Sequence, residues 1–225
     1  MLEEFGFDTN NDWKTLTNGT QIHKTALIAP WVRFDDNCIV YPYAIVGRLP
    51  DLSSALARQA HAAKILTIGK STILGYHSII YGNVKIGDGC LIGDHGFIRE
   101  GVKIGNNCMI GAYVNINYDS KIGNNCRFQN GTIFHGECGE DCFFGLGVIC
   151  SNDKRIDLNN YQFLDSHPPK FGKRVFVGSG SNVLPEVVIG DDVVIGAGSL
   201  VVKDVETGGL VLGPIAKTSI PHVWV

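Results

Sequence analysis

Ile86-Gly87-Asp88-Gly89-Cys90-Leu91-Ile92-Gly93-Asp94-His95-Gly96-Phe97-Ile98-Arg99-Glu100-Gly101-Val102-Lys103-Ile104-Gly105 is the stretch that decides the fold. An aliphatic residue returns at every sixth position, and the series runs unbroken through Ile68, Leu74, Ile80, Ile86, Ile92, Ile98, Ile104, Ile110, Ile116, Ile122, Phe128 and Phe134. A period of six fits neither a surface helix nor a half-buried strand. The register extends back to Ile22, Ile28, Phe34, Val40 and Val46, and forward to Val177, Val183, Ile189, Ile195 and Val201.

Six residues make one short strand and one turn, and three such units close a triangular coil of eighteen. Residues eighteen apart then stack at the spacing of neighbouring strands, about 4.8 Å. Two other positions agree. The residue after each aliphatic one is usually Gly, as at Gly69, Gly75, Gly87, Gly93, Gly105 and Gly111, which suits a sharp corner. The fourth residue on is small or β-branched, as at Thr72, Ser78, Val84, Val102 and Val114. Each coil fills its interior only with its neighbours, so the chain reads as an all-β solenoid.

The 225 residues carry 19 basic and 22 acidic side chains, a formal charge of −3, which does not advertise nucleic-acid binding. The acidic, polar start from Met1 to Asp12 is unlike a secretion signal, and no apolar run reaches membrane-span length, so a soluble cytoplasmic protein is expected. All seven cysteines fall on interior register positions, with Cys90, Cys108 and Cys126 in one column, and read as free thiols packed as small hydrophobes.

The repeats cover about 20–47, 68–150 and 177–205 of one domain spanning 1–225, with excursions at 47–67 and 151–175 and an extension at 206–225. Leu52 to Ala63 is alanine-rich after Pro50 and predicts a short helix over a binding site. A clipped step of four residues separates Phe134 from Cys138, beside His135, Gly136 and Glu137. The excursion 151–175, holding Asn152-Asp153-Lys154-Arg155 and His167-Pro168-Pro169-Lys170, reads as an ordered arm on a neighbouring subunit.

These repeats, with Val177-Gly178-Ser179-Gly180-Ser181-Asn182-Val183-Leu184-Pro185 and Val194-Ile195-Gly196-Ala197-Gly198-Ser199-Leu200-Val201-Val202-Lys203-Asp204-Val205, resemble the hexapeptide-repeat acyltransferases over residues 20–217. That resemblance implies a left-handed parallel β-helix, a homotrimer with sites between subunits, and acyl-coenzyme A as donor. Gly213-Pro214-Ile215-Ala216-Lys217 departs from the family's usual Gly-Asn-Pro-Ala ending. Ile98-Arg99-Glu100-Gly101, Phe128-Gln129-Asn130 and Ser151-Asn152-Asp153 look like the nucleotide-linked amino-sugar N-acetyltransferases of surface-polysaccharide pathways.

Once the fold is granted, Ser179 and Ala197 stack at one corner among Gly178, Gly180, Gly196 and Gly198, exposing backbone amides and carbonyls to a thin pantetheine arm. Lys203 and Lys217 lie beyond it for the coenzyme's phosphates. Taken singly, each glycine is also simply a turn former. Amine acylation needs a group that orients the amine or takes its proton and a donor for the oxyanion. Asp94 and Glu100 project from two successive corners and His135 stands beside the clipped step, with Glu137 as its orienting partner. Arg99 and His95 are the substrate-binding candidates. Solvated corner charges and a turn histidine are the plain alternatives.

The expected activity is acetyl transfer from acetyl-CoA to the amine of a nucleotide-linked amino sugar, with no metal. O-acetylation of a hydroxylated acceptor is the main rival and demands a firmer base. The stacked His77 and His95 raise a further one, a zinc enzyme like the β-helical carbonic anhydrases, although Tyr113 and Gly131 follow them in the column.

Overall fold

In the computed structural model, residues 12–51, 63–152, 156–157, 162–163 and 167–213 are described. Among them every regular element is a strand. Apart from an antiparallel pair, Ile156–Asp157 with Gln162–Phe163, the strands sort into three stacked faces and form a left-handed β-helix of hexapeptide repeats. The first face holds 11 strands, the second 9 and the third 8. The chain visits them in that order, as in Leu91–Ile92, Phe97–Ile98 and Lys103–Ile104. We call the turn after each face the first, second and third corner.

The six-residue register decides this pairing. Ile86 lies against Ile104, Ile92 against Ile110 and Ile98 against Ile116, each on a parallel neighbour eighteen residues away. Their side chains point into the tube and are essentially inaccessible. Each such burial contributes about 1.5–3 kcal/mol. The corners require left-handed backbone, and Tyr43, His77, His95, Asn107, Tyr113 and Asn125 adopt it at φ of 55–60°. Asn eases that conformation, whereas Tyr and His hold it against a steric cost.

The clipped step produces one coil shorter by two residues, so that Ile122 faces Cys138 and Phe128 faces Phe144 across sixteen. Phe128, Phe134 and Phe144 fill that part of the interior, with Phe128 and Phe144 stacked at 4.5 Å. Gly136 makes the short turn at φ 154°, where a Cβ would stand 2.4 Å from the Pro169 carbonyl oxygen.

The stack reaches further than the interior series shows. Lys170–Phe171 rejoins the third face against Glu137–Cys138, so the second excursion closes before Val175. Leu210–Val211 adds a rung to the first face beyond residue 205. Trp13–Thr15 pairs antiparallel with Gln21–His23 and covers the opposite edge of that face. The helix expected over Leu52–Ala63 lies, apart from Ala63, outside the described residues. No helix among the described residues is long and apolar enough to cross a membrane.

The outer surfaces differ in character. The first face presents Leu91, Phe176, Val194 and Leu210, and the second presents Leu27, Ile133, Ile149 and Leu200, all exposed. The third carries Lys85, Lys103 and Lys121 in direct register. The first corner therefore lies between two largely apolar faces.

Candidate functional site

The second corner gathers the most concentrated polar chemistry. Glu100 is 1% exposed and takes hydrogen bonds from Arg99 Nε at 2.9 Å and Nη2 at 3.1 Å. Burial pulls the Arg99 guanidinium toward lower pKa, but the hydrogen bonds and charge of Glu100 outweigh it and the net shift is upward. The guanidinium also lies 5.2 Å from the Tyr81 ring and 6.0 Å from that of Tyr118. Tyr118 meets the buried His135 edge to face at 4.4 Å and accepts a hydrogen bond from Asn152 Nδ2 at 3.2 Å. Stacking explains the assembly: Tyr81, Arg99 and His135 follow interior residues of one face on successive or alternate coils.

Glu100 and His135 thus share a corner, linked through Arg99, which holds Glu100, and Tyr118, which lies between Arg99 and His135. Glu137 does not join them. It is an outward-facing residue of the third face, in register with Lys121, and its Oε1 meets Lys121 Nζ at 2.7 Å. The clip is the reason, because Glu137 already belongs to the next strand.

Asp94 occupies the first corner instead. Its Oδ1 accepts the backbone N–H of Tyr76 at 2.9 Å. The same bridge recurs where Asp88 takes the Lys70 amide, Asn106 that of Asp88 and Asn130 that of Ala112. Asp94 therefore serves the corner ladder with one oxygen. It also lines a cleft of about 540 Å³ with Trp13, Tyr41, Tyr76 and Leu91. Burial, followed by the charge of Tyr41 and Asp94, raises the Tyr76 hydroxyl pKa.

His95, beside Asp94, lies in a ring column with Tyr43, His77 and Tyr113. His77 and His95 meet face to face, 5.0 Å apart with planes at 3°. The column continues into tyrosines on both sides, not into a third histidine.

Further along this corner are Gly178, Ser179, Gly180, Gly196 and Ala197. Gly178 is held by close approach, since a Cβ there would sit 2.4 Å from the Ala197 nitrogen. Ser179 Oγ accepts the Leu146 amide at 3.1 Å. Gly147, Gly180 and Gly198 share the left-handed position that Tyr113 and His95 fill on earlier coils, and a Cβ on any of them would meet nothing within 4 Å. The result is a bare strip of backbone where the same corner elsewhere carries rings. Lys203 is exposed but follows the second face, away from this strip, and Lys217 lies outside the described residues.

Sequence reasoning missed Tyr81 and Tyr118, and quoted Asn152 only within the Ser151-Asn152-Asp153 motif, without Tyr118 as its partner. It also missed the lysine rungs, where Lys85, Lys103 and Lys121 line a cleft of about 360 Å³ with Asn83 and Asp119. Applying the eighteen-residue offset to lysines would have found the latter. In the interior, Cys126, Cys138 and Cys142 bring their Sγ atoms within 4.8 Å of one another. Cys126 and Cys142 donate to the Gly139 and Gly172 carbonyls at 3.2 Å, as Cys90 and Cys108 donate to theirs at 3.1 Å. That repeated role fits packing thiols.

Comparison with known proteins follows the same geometry. The family model for bacterial transferase hexapeptide (six repeats) matches residues 101–136 and 168–203, and that for the hexapeptide repeat of succinyl-transferase matches 65–93 and 83–117. Serine acetyltransferase of Helicobacter pylori is 35% identical over 107 residues, 41% of this chain and 63% of that protein. Bifunctional protein GlmU of Acidithiobacillus ferrooxidans is 37% identical over 86 residues, 38% of this chain and 17% of that protein. The chain thus spans less than two thirds of the length of either relative. A solved structure of UDP-N-acetylglucosamine O-acyltransferase (LpxA) from Moraxella catarrhalis superposes with a TM-score of 0.67 at 25% identity, covering 85% of this chain and 71% of that one. Interior register, three-faced stack and these matches together show a chain built of hexapeptide-transferase repeats, similar to the hexapeptide-repeat acyltransferases.

Proposed function

We propose that the protein is an acyl-CoA-dependent N-acyltransferase that acetylates the amine of a nucleotide-linked amino sugar, acting as a cytoplasmic homotrimer. The observation that carries this reading is the buried Glu100, clamped by Arg99 on one corner with Tyr118 and His135. A sugar amine is far less basic than a lysine, so it needs orientation and a proton acceptor more than a strong base. The amine attacks the thioester carbonyl, the C–S bond breaks, the amine's proton leaves through Glu100 or His135, and coenzyme A departs as thiol. The bare first-corner strip offers backbone amides and carbonyls to the pantetheine arm. Acyl transfer to a UDP-linked sugar in the similar Moraxella enzyme supports the acceptor class. Apolar outer faces on both sides of the first corner favour self-association.

O-acylation is the second reading, favoured by the buried His135 packed against Tyr118, which places an imidazole base in the same corner. A thiol-release assay with acetyl-CoA over a panel of amino and hydroxyl nucleotide sugars separates the two. Release with an amino sugar is expected; release with hydroxyl acceptors alone would replace N- with O-transfer, and none with any acceptor would reject both.

A further inference from the structure

The ring column on the first corner ends abruptly. Tyr43, His77, His95 and Tyr113 stack at centroid separations of 5.0, 5.0 and 4.7 Å, with planes 13°, 3° and 6° apart. All four hold left-handed backbone at φ of 55–60°. The lower end of the column is tied down, since the Tyr43 amide donates to Thr25 Oγ1 at 3.1 Å. At the upper end the next residue in the column is Gly131, at φ 71°, and a Cβ there would meet nothing within 4 Å. Tyr113 is 65% exposed. One face of its ring is therefore open above a corner that has the backbone conformation and the space for a fifth ring but carries none.

We propose that this vacant rung is a stacking site for a nucleobase, which continues the column by lying on Tyr113 over Gly131. A planar heteroaromatic ring suits the place because the four rings below have already fixed the plane and spacing in which it must lie. Stacking on an aromatic face tolerates any base, so the polar edge must find partners nearby. Asn130 is adjacent and exposed: its Oδ1 accepts the Ala112 amide at 3.0 Å, and its amide Nδ2 is a donor of the kind a base edge needs. The site lies at the end of the glycine strip, so a ligand lying along that strip reaches it without crossing a face. The inference deepens the proposed function and rests on it for the presence of nucleotides, carried by either the acceptor or coenzyme A.

Calorimetric titration of the full chain with UDP, dTDP, CoA, 4′-phosphopantetheine and ribose 5-diphosphate tests it. Tyr113→Ala is expected to weaken the base-bearing ligand that uses the site by about 5- to 150-fold, the range for losing one base–aromatic stack. Tyr113→Phe should bind like wild type. Gly131→Tyr should abolish this binding by filling the rung, in a conformation the chain already tolerates with Tyr at 43 and 113. The two base-free ligands should be unaffected by Tyr113→Ala. Dependence confined to UDP and dTDP assigns the site to the acceptor; dependence confined to CoA assigns it to adenine. If Tyr113→Ala and Gly131→Tyr bind every nucleotide as wild type does, or if wild type binds none, the inference is overturned. Acetyl-CoA turnover that survives in Tyr113→Ala with unchanged nucleotide binding would leave the transferase reading standing without it.

Discussion

Replacing Arg99 by Met removes the guanidinium and keeps most of its apolar stem, so the change acts on Glu100. That carboxylate is 1% exposed and would lose both guanidinium hydrogen bonds. Removing one partner of a buried pair costs about 3–5 kcal/mol, because the remaining charge stays desolvated. The Arg99 side chain is 24% exposed, so water reaches its place and the lower end applies, about 3 kcal/mol. For a chain of this size that corresponds to a fall in melting midpoint of about 6–12 °C. Adding Glu100→Gln to Arg99→Met removes the stranded charge and should restore most of the loss. Thermal unfolding followed by circular dichroism on wild type, both single variants and the double variant gives the coupling directly. A midpoint for Arg99→Met within 1 °C of wild type, or a coupling below about 0.5 kcal/mol, would refute the buried-pair argument.

Three further outcomes follow from the same geometry. Asp94→Asn keeps the oxygen that accepts the Tyr76 amide and should leave stability unchanged, whereas Asp94→Ala should lose about 1 kcal/mol in urea titration; turnover that falls in Asp94→Asn as far as in Asp94→Ala would mean the carboxylate also serves the reaction. All seven cysteines are buried, which denies a reagent access even to Cys142, whose thiol is pulled downward by its hydrogen bonds with Cys126 and Cys138, so at pH 8 a thiol reagent should label none of them in the native protein and all seven in guanidinium. Gly136→Ala should lower the melting midpoint, since the new Cβ would stand 2.4 Å from the Pro169 carbonyl oxygen; an unchanged midpoint would show that the short turn yields freely.

The interior of the tube was legible because one period governs it: every residue from Ile68 to Phe134 in the series became an inward side chain, and each met its partner at offset eighteen up to the clip. Arg99, Glu100 and His135 were legible for the same reason, as departures from the small residues usual at corners. Tyr118 and Asn152 were not, because the shortened coil makes their separation 34 rather than a multiple of eighteen. The clip likewise moved Glu137 onto the third face, away from His135. Asp94 stood out in sequence, yet in space it repeats a backbone-capping role that Asp88 and Asn106 also play, which spacing alone does not reveal. Phe171 escaped the interior series because the excursion before it hides the register.

Whether the bare first-corner strip holds the acyl donor is settled most directly by calorimetric binding of coenzyme A to wild type and to Gly180→Tyr. Position 180 has φ 69° and open space above it, so the substitution costs only about 1–2 kcal/mol of left-handed strain and blocks the strip with a ring. Measurable binding by wild type, weakened at least tenfold in the folded variant, is the predicted result. Equal affinity in the two proteins, or no binding to either, would contradict it.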